Sequence, residues 1–281
     1  MPFWKVEAFV KSLRATGYAG RTVFFASLLT RSTEMELLAS SVEIERFLFL
    51  GRHVRQRLAS PWSLWRKYFA LPQPEWMRDF VARRVLHLFY LRHLIYLRFL
   101  ERNPGIQRIL MCDCRDVYFQ RDPFTDWPGP GLHAFQETES VSVGECEHHR
   151  RWITLLAGED ILEQLSEFPR VCAGAILADR DSAIAFLTKM VEMTYSALSL
   201  EAHDGDQGLF NILVRQNRIP NIVVHRNGES SVYTHPGITS EAVRSDRDGF
   251  VIRPDGSPVP VLHQYDRNLE IAKPLLRKLG L

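Results

Sequence analysis

Short apolar segments alternate with longer amphipathic ones along most of the chain, and that alternation restricts the fold more than any other feature. Val6, Phe9, Val10 and Leu13 recur at helical spacing, and Gly17 and Gly20 close that helix. Residues 22–26 then read as a short buried strand, 34–40 as a helix and 47–50 as a second strand. Residues 60–75 carry three prolines and read as a surface excursion. Residues 76–103 read as one long helix, ended by Pro104-Gly105, and 108–112 open a buried strand. Farther on, 171–178 read as a strand, 182–198 and 207–216 as helices, and 222–225 as a strand. Residues 249–263 read as a hairpin turning at Asp255-Gly256. The pattern predicts an α/β domain with a mostly parallel mixed sheet flanked by helices. No linker or internal repeat interrupts it, so residues 1–281 are read as a single domain.

Charge excludes some function classes. The formal net charge is only +2, too balanced for a dedicated nucleic-acid binder, so no nucleic acid is expected as a partner. Of the 35 basic residues 29 are arginine, the better bidentate phosphate ligand, although a plain compositional bias explains the excess equally simply. Four cysteines do not make a disulfide framework, and a reducing, cytoplasmic setting is expected. The most apolar stretch, 85–100, is interrupted by Arg92 and Arg98, so no transmembrane segment is expected; no signal peptide is visible either.

The segment carrying chemistry follows the strand at 108–112. Asp113 closes that strand and Asp116 comes three residues later, with Arg115 between them. In open α/β sheets, ligands bind beyond the carboxyl ends of strands. Two carboxylates there make a hard-oxygen site for Mn²⁺ or Mg²⁺, ions that also hold phosphate oxygens. The structural alternative is a polar turn in which an aspartate caps a backbone amide.

The run Asp113-Cys-Arg-Asp116-Val-Tyr-Phe-Gln-Arg-Asp122-Pro-Phe124 resembles the metal-binding DxD motif of nucleotide-sugar glycosyltransferases with the GT-A fold. Three later segments follow in the order that the resemblance requires. Residues 171–178 resemble the family's small-residue strand, in which Gly174 permits close approach of a ligand, or is an ordinary strand glycine. Asp204-Gly-Asp206-Gln207, followed by Asn211, resembles the family's Asp-Gln element; Asp206 is equally placed to cap the helix that follows. His263-Gln-Tyr-Asp-Arg267 resembles a C-terminal motif whose histidine completes the metal site, while Arg267 either faces the diphosphate or pairs with Asp266.

The resemblance spans residues 7–268. It implies a metal-dependent hexosyl- or pentosyltransferase that moves a sugar from a nucleotide-sugar donor to a glycan, protein or small-molecule acceptor, with retention of configuration. The implied site has Asp113, Asp116 and His263 on the metal, and Asp113, Arg115, Arg83, Gly174 and Arg267 around the donor. Asp206 and Gln207 then act at the reacting centre. The long helix is expected to present Arg83 or Arg84 to the donor cleft, with its other arginines solvated. One departure stands out: the family's fold begins with a strand that holds the base, whereas here a helix comes first and that strand is missing. A non-catalytic nucleotide- or sugar-binding protein and a metal-dependent phosphohydrolase remain as alternatives. A zinc site at Cys112 and Cys114 with Cys146, His148 and His149 has the wrong spacing for a zinc knuckle.

Overall fold

The apolar run at 171–178 forms the strand around which the larger sheet is built. In the computed structural model, which describes residues 1–49, 61–138, 140–202, 204–235 and 243–281, Val171–Asp179 is a strand buried at every position but its last. Burial on both faces is what an uninterrupted apolar run demands.

After a short 3₁₀ turn, the elements in chain order are α1 (Glu7–Ala15), β1 (Val23–Ala26), α2 (Arg31–Ala39), β2 (Glu43–Arg46), α3 (Trp62–Ala70), α4 (Glu75–Val85) and α5 (Leu88–Arg102). Then come β3 (Arg108–Cys112), β4 (Val117–Phe119), β5 (Leu132–Gln136), α6 (Glu147–Ala157), α7 (Glu159–Leu165), β6 (Val171–Asp179) and α8 (Arg180–Ser196). The chain ends with α9 (Asp206–Arg215), β7 (Ile222–His225), β8 (Val232–Thr234), β9 (Val261–His263) and α10 (Leu269–Lys278).

The strands form a sheet of order β3-β6-β5-β7, a second of order β4-β9-β8 and a parallel pair β1-β2. β6 runs antiparallel to β3 and β5, while β5 pairs in parallel with β7. This is the mixed α/β architecture with flanking helices that the alternation predicts, and among the described residues the first strand follows the first helix. One core gathers α5, α8 and α9 on one face of the larger sheet, and another packs α1 against β1 and β4. Asp179 ties β6 to α8: its carboxylate accepts from the amides of Asp181 and Ser182 and from Gly131. A cap of this kind contributes about 1 kcal/mol.

Three local expectations are corrected, and the expected hairpin turn is found. Residues 76–103 form two helices, not one, because Leu86 and His87 are extended and His87 caps α5 through the amide of Phe89. Residues 60–75 contain α3, with Pro61 at its start and Pro72 and Pro74 beyond its end; prolines bracket a helix here because their missing N–H groups are not needed there. Phe69 of α3 stacks on Tyr195, with ring centroids 4.1 Å apart. The second strand is Glu43–Arg46, earlier than predicted, because its partner β1 ends at Ala26; Phe47 and Phe49 instead pack on the core, and Leu50 lies outside the described residues. The turn at Asp255-Gly256 is present, with Gly256 at φ 83° and a bridge between Ile252 and Pro258. The chain leaves that hairpin as β9, which pairs with β4 and β8.

Candidate functional site

Register and turn geometry bring five chain segments together at the carboxyl end of β3. The amide of Asp113 donates to the Gly174 carbonyl at 2.9 Å, fixing the strand exit against β6. β4 pairs with β9 so that Val117 lies opposite His263, which puts the preceding Asp116 beside the imidazole. Gln264 adopts a left-handed conformation, φ 58°, and turns the chain away directly after His263. α9 begins at Asp206, and α5 carries Arg92 in from the other side.

Asp113, Asp116 and His263 each offer one donor atom, and these atoms lie within 4.8 Å of one another. His263 Nε2 is 3.8 Å from a carboxylate oxygen of each aspartate. The imidazole is buried, and its Nε2 has no hydrogen-bond partner. Its other nitrogen, Nδ1, is 3.2 Å from Cys172 Sγ and 3.5 Å from Thr234 Oγ1, and the Gly174 amide donates to the same sulfur at 3.3 Å. If Nδ1 carries the proton, the sulfur and hydroxyl accept it, and the Nε2 lone pair points at the carboxylates. Gly174 is required here: a Cβ would lie 2.3 Å from His263 Nε2 and 3.0 Å from Asp113 Oδ2. Two carboxylates and one imidazole with an orphaned nitrogen suit a divalent cation such as Mn²⁺ or Mg²⁺. Among the described residues this is the one such cluster; Cys146 instead contacts His149 Nδ1 at 3.2 Å.

Arg92 is the residue that the sequence reading assigned to solvent. Its side chain is only 16% exposed, with Nη1 2.9 Å from Asp113 and Nη2 2.5 Å from Asp206. Asp206 does not cap α9; it is the helix's first residue, is 2% exposed, and is held by this arginine. Burial pushes the Asp206 carboxyl up to about 6 against the pull of Arg92. Asp113 stays below its usual range, because His263 and Arg92 outweigh burial, while burial raises Asp116. Arg98 is not solvated either: it pairs with Glu75, Asp79 and Glu101.

The other expected residues are placed differently. The Gln207 amide is fully engaged: Oε1 accepts from Ala173 N at 2.8 Å, and Nε2 donates to Glu137 Oε1 at 2.6 Å and to Val171 O at 3.1 Å. Asn211 holds Val171 on both sides, accepting from its amide and donating to its carbonyl, each at 3.0 Å. Together they clamp α9 to β6. Arg115 and Arg267 are exposed on the turns flanking the acids and make no ion pair among the described residues, so Arg267 does not pair with Asp266. Arg83 is half-buried on α4, and Arg84 lies over its own Phe80 ring, 3.3 Å from the centroid, so neither is seen to join the cluster. Arg92, Cys172 and Glu137 were missed. A guanidinium between Leu91 and His93 in the most apolar helix was the available signal for Arg92, since an interior charge needs a partner. Nothing local marked the other two.

No family model matches the chain, and no curated protein matches it. Among solved structures it is similar to the Mn/GDP form of core-mannan synthase A from Aspergillus fumigatus, with a TM-score of 0.39 and 10% identity over 80% of this chain and 70% of that one. A likeness so remote leaves the site to be argued from its own geometry. No described helix is long and apolar enough to cross a membrane.

Proposed function

We propose that this chain is a metal-dependent glycosyltransferase using a nucleotide-sugar donor. The observation that carries the reading is the buried His263 Nε2, left without a partner beside two carboxylates and an obligatory glycine. Held by Asp113, Asp116 and His263, a Mn²⁺ or Mg²⁺ ion would supply positive charge for the diphosphate leaving group. Around it the chain's own residues divide the work. Arg92 keeps Asp113 and Asp206 ionised and fixed 2.9 and 2.5 Å from its guanidinium, so the acids stay in place without collapsing on each other. Exposed Arg115 and Arg267 are free to reach phosphate oxygens. Gly174, expected from the sequence to lie against the donor, instead leaves room for His263 and Asp113 to meet against β6. Asp206 is the carboxylate assigned to the reacting centre, and Gln207 positions it by locking the first turn of α9 onto β6. Retention of configuration follows the resemblance of the Asp-Gln element. The acceptor is a hydroxyl on a glycan, protein or small molecule.

The test is turnover of a panel of nucleotide sugars with Mn²⁺, for the wild type, Asp113→Ala and His263→Ala. Metal-dependent loss of donor in the wild type and none in either variant is expected. Full activity in both variants overturns the metal assignment. Release of phosphate from simple monoesters without sugar transfer makes the protein a phosphohydrolase instead.

A further inference from the structure

Exposed apolar side chains are ordinary where they stand singly. On α3 and α4 they do not. Leu64 and Leu71 are each 60% exposed, Trp76 67% and Phe80 52%. Both helices spend one face on the rest of the protein. In α3, Phe69 stacks on Tyr195 of α8, and Trp62 Nε1 donates to Ala197 O at 2.9 Å. In α4, Ala82 and Val85 are buried, and Glu75 and Asp79 pair with Arg98 of α5.

Helical spacing gathers the exposed residues on the opposite faces. Leu64, Lys67 and Leu71 follow at i, i+3 and i+7, turned away from Trp62 and Phe69. Trp76, Phe80, Arg83 and Arg84 follow at i, i+4, i+7 and i+8, turned away from Ala82 and Val85. Arg84 lies over the Phe80 ring and donates to the Phe80 carbonyl at 2.8 Å, so cation and aromatic present one surface.

The charge on these helices is one-sided. Residues 61–88 carry five cations, Arg66, Lys67, Arg78, Arg83 and Arg84, and two acids, Glu75 and Asp79. Arg98 takes both acids, and none of the five cations makes an ion pair among the described residues. An occupant must therefore bring anions and accept aromatic and leucine side chains at the same time. A bilayer surface does both. Its headgroup phosphates meet the guanidinium and ammonium groups, and the layer beneath takes Trp76, Phe80 and the leucines, with the arginine stems lying along it. It also needs no fixed register between anions and apolar groups, which suits cations spread over two helices.

We propose that α3 and α4 dock the chain on an anionic lipid bilayer, with Trp76 and Phe80 entering the headgroup layer and the cations held by lipid phosphates. The contact is peripheral, since no described helix is long and apolar enough to cross a membrane. The proposal is independent of the glycosyltransferase reading, because it uses none of the metal-site residues.

Co-sedimentation of the full chain with vesicles tests it. Vesicles of phosphatidylcholine and phosphatidylglycerol in equal parts should bind the chain saturably, and vesicles of phosphatidylcholine alone about tenfold or more weakly. Salt at about 1 M, where charge acts over only about 3 Å, should release most of the bound chain. Trp76→Ser with Phe80→Ser, and separately Arg83→Gln with Arg84→Gln, should each weaken binding about tenfold or more. Neither pair should lower the melting temperature by more than a few degrees, because these side chains stand on the open face of α4. Trp4→Ser, at a tryptophan 69% exposed on the 3₁₀ turn before α1, should bind as the wild type does. Trp76→Phe should keep the binding but lose much of the fluorescence quenching by brominated lipid, because the ring entering the layer is no longer an indole. No binding to the anionic vesicles, equal binding to both kinds, or undiminished binding of the Trp76→Ser, Phe80→Ser variant overturns the proposal. A wild-type dimer that this variant abolishes, with no vesicle binding, overturns it by assigning the face to a second copy.

Discussion

Replacing Arg92 by leucine isolates the contribution of the guanidinium that spans Asp113 and Asp206. Leucine fills much of the same space on α5 but leaves the Asp206 carboxylate buried with no counter-charge. Asp206 has 3% of its side chain exposed, so solvent cannot take over the arginine's role; Asp113, 40% exposed, can be partly rehydrated and adds little. Removing one partner of a buried pair costs about 3–5 kcal/mol. At the lower end of about 2 °C per kcal/mol for chains of this size, the melting temperature should fall by roughly 6–10 °C. The deficit should depend on pH in a defined direction. The folded-state value of Asp206, about 6, already lies above its unfolded value, so this group reduces stability as pH rises through that interval. Without Arg92 its value rises further, so the gap between variant and wild type should be wide at pH 8 and narrow at pH 5. The charge-neutral double variant Arg92→Leu, Asp206→Asn should recover most of the lost stability at pH 8 but no transferase activity. Melting curves of the three proteins at the two pH values give the answer. An Arg92→Leu deficit that is the same at pH 5 and pH 8, or that persists in the double variant, would refute the idea that an uncompensated Asp206 charge is its source.

Three other outcomes follow from the same geometry. Gly174→Ala places a methyl 2.3 Å from His263 Nε2, and His263 is backed by Cys172 and Thr234, so the variant should lose about 1–3 kcal/mol to overpacking and should bind Mn²⁺ weakly in an electron paramagnetic resonance titration. Asn211→Leu removes both bonds to Val171; the carbonyl keeps its bond from Gln207, but the N–H is left buried without a partner, lowering stability by about 1–3 kcal/mol in urea unfolding. Transferase activity should decline as pH falls through about 6, where Asp206 takes up a proton and its pairing with Arg92 weakens; a flat profile from pH 5 to pH 8 would remove Asp206 from the reaction.

The positions of β1, β3, β6, β7 and β9 and of the acidic cluster were legible because they depend on local pattern, whereas β4, β5 and β8 were not read and β2 was read four residues late. An apolar run of eight residues is a buried strand wherever it pairs, and Asp113 stands at the exit of another such run. The break at Leu86–His87 was not legible: no proline or glycine marks it, and a histidine capping its own helix looks like any polar residue in an amphipathic stretch. The proline-rich segment misled in the opposite direction, since Pro61, Pro72 and Pro74 stand just outside α3. Arg92, Cys172 and Glu137 became visible only once α5, β6 and β5 had been brought together. Their roles lie in contacts to residues 21, 91 and 70 positions away in sequence.

The charges of the cluster close on a single requirement. Asp113, Asp116 and Asp206 contribute three negative charges, Arg92 returns one, and a neutral His263 adds none, so the group carries two uncompensated negative charges in a largely buried setting. One divalent cation balances them. In its absence the imidazole compensates in part: burial pulls His263 down, but Cys172, Asp113 and Asp116 hold it well above its ordinary value. Mn²⁺ or Mg²⁺ should therefore stabilise the folded chain by mass action, by about 2.7 kcal/mol at a hundredfold excess over its dissociation constant, or roughly 5 °C in melting temperature. The size of that shift in variants separates charge balance from mere ligand count. Asp116→Asn, which loses a charge and a ligand, should lose most of the shift. The Arg92→Leu, Asp206→Asn pair removes one charge of each sign and no ligand, so its shift should survive. If the double variant no longer responds to metal, the cluster is organised by Arg92 holding Asp113 in place, and the charge balance is incidental.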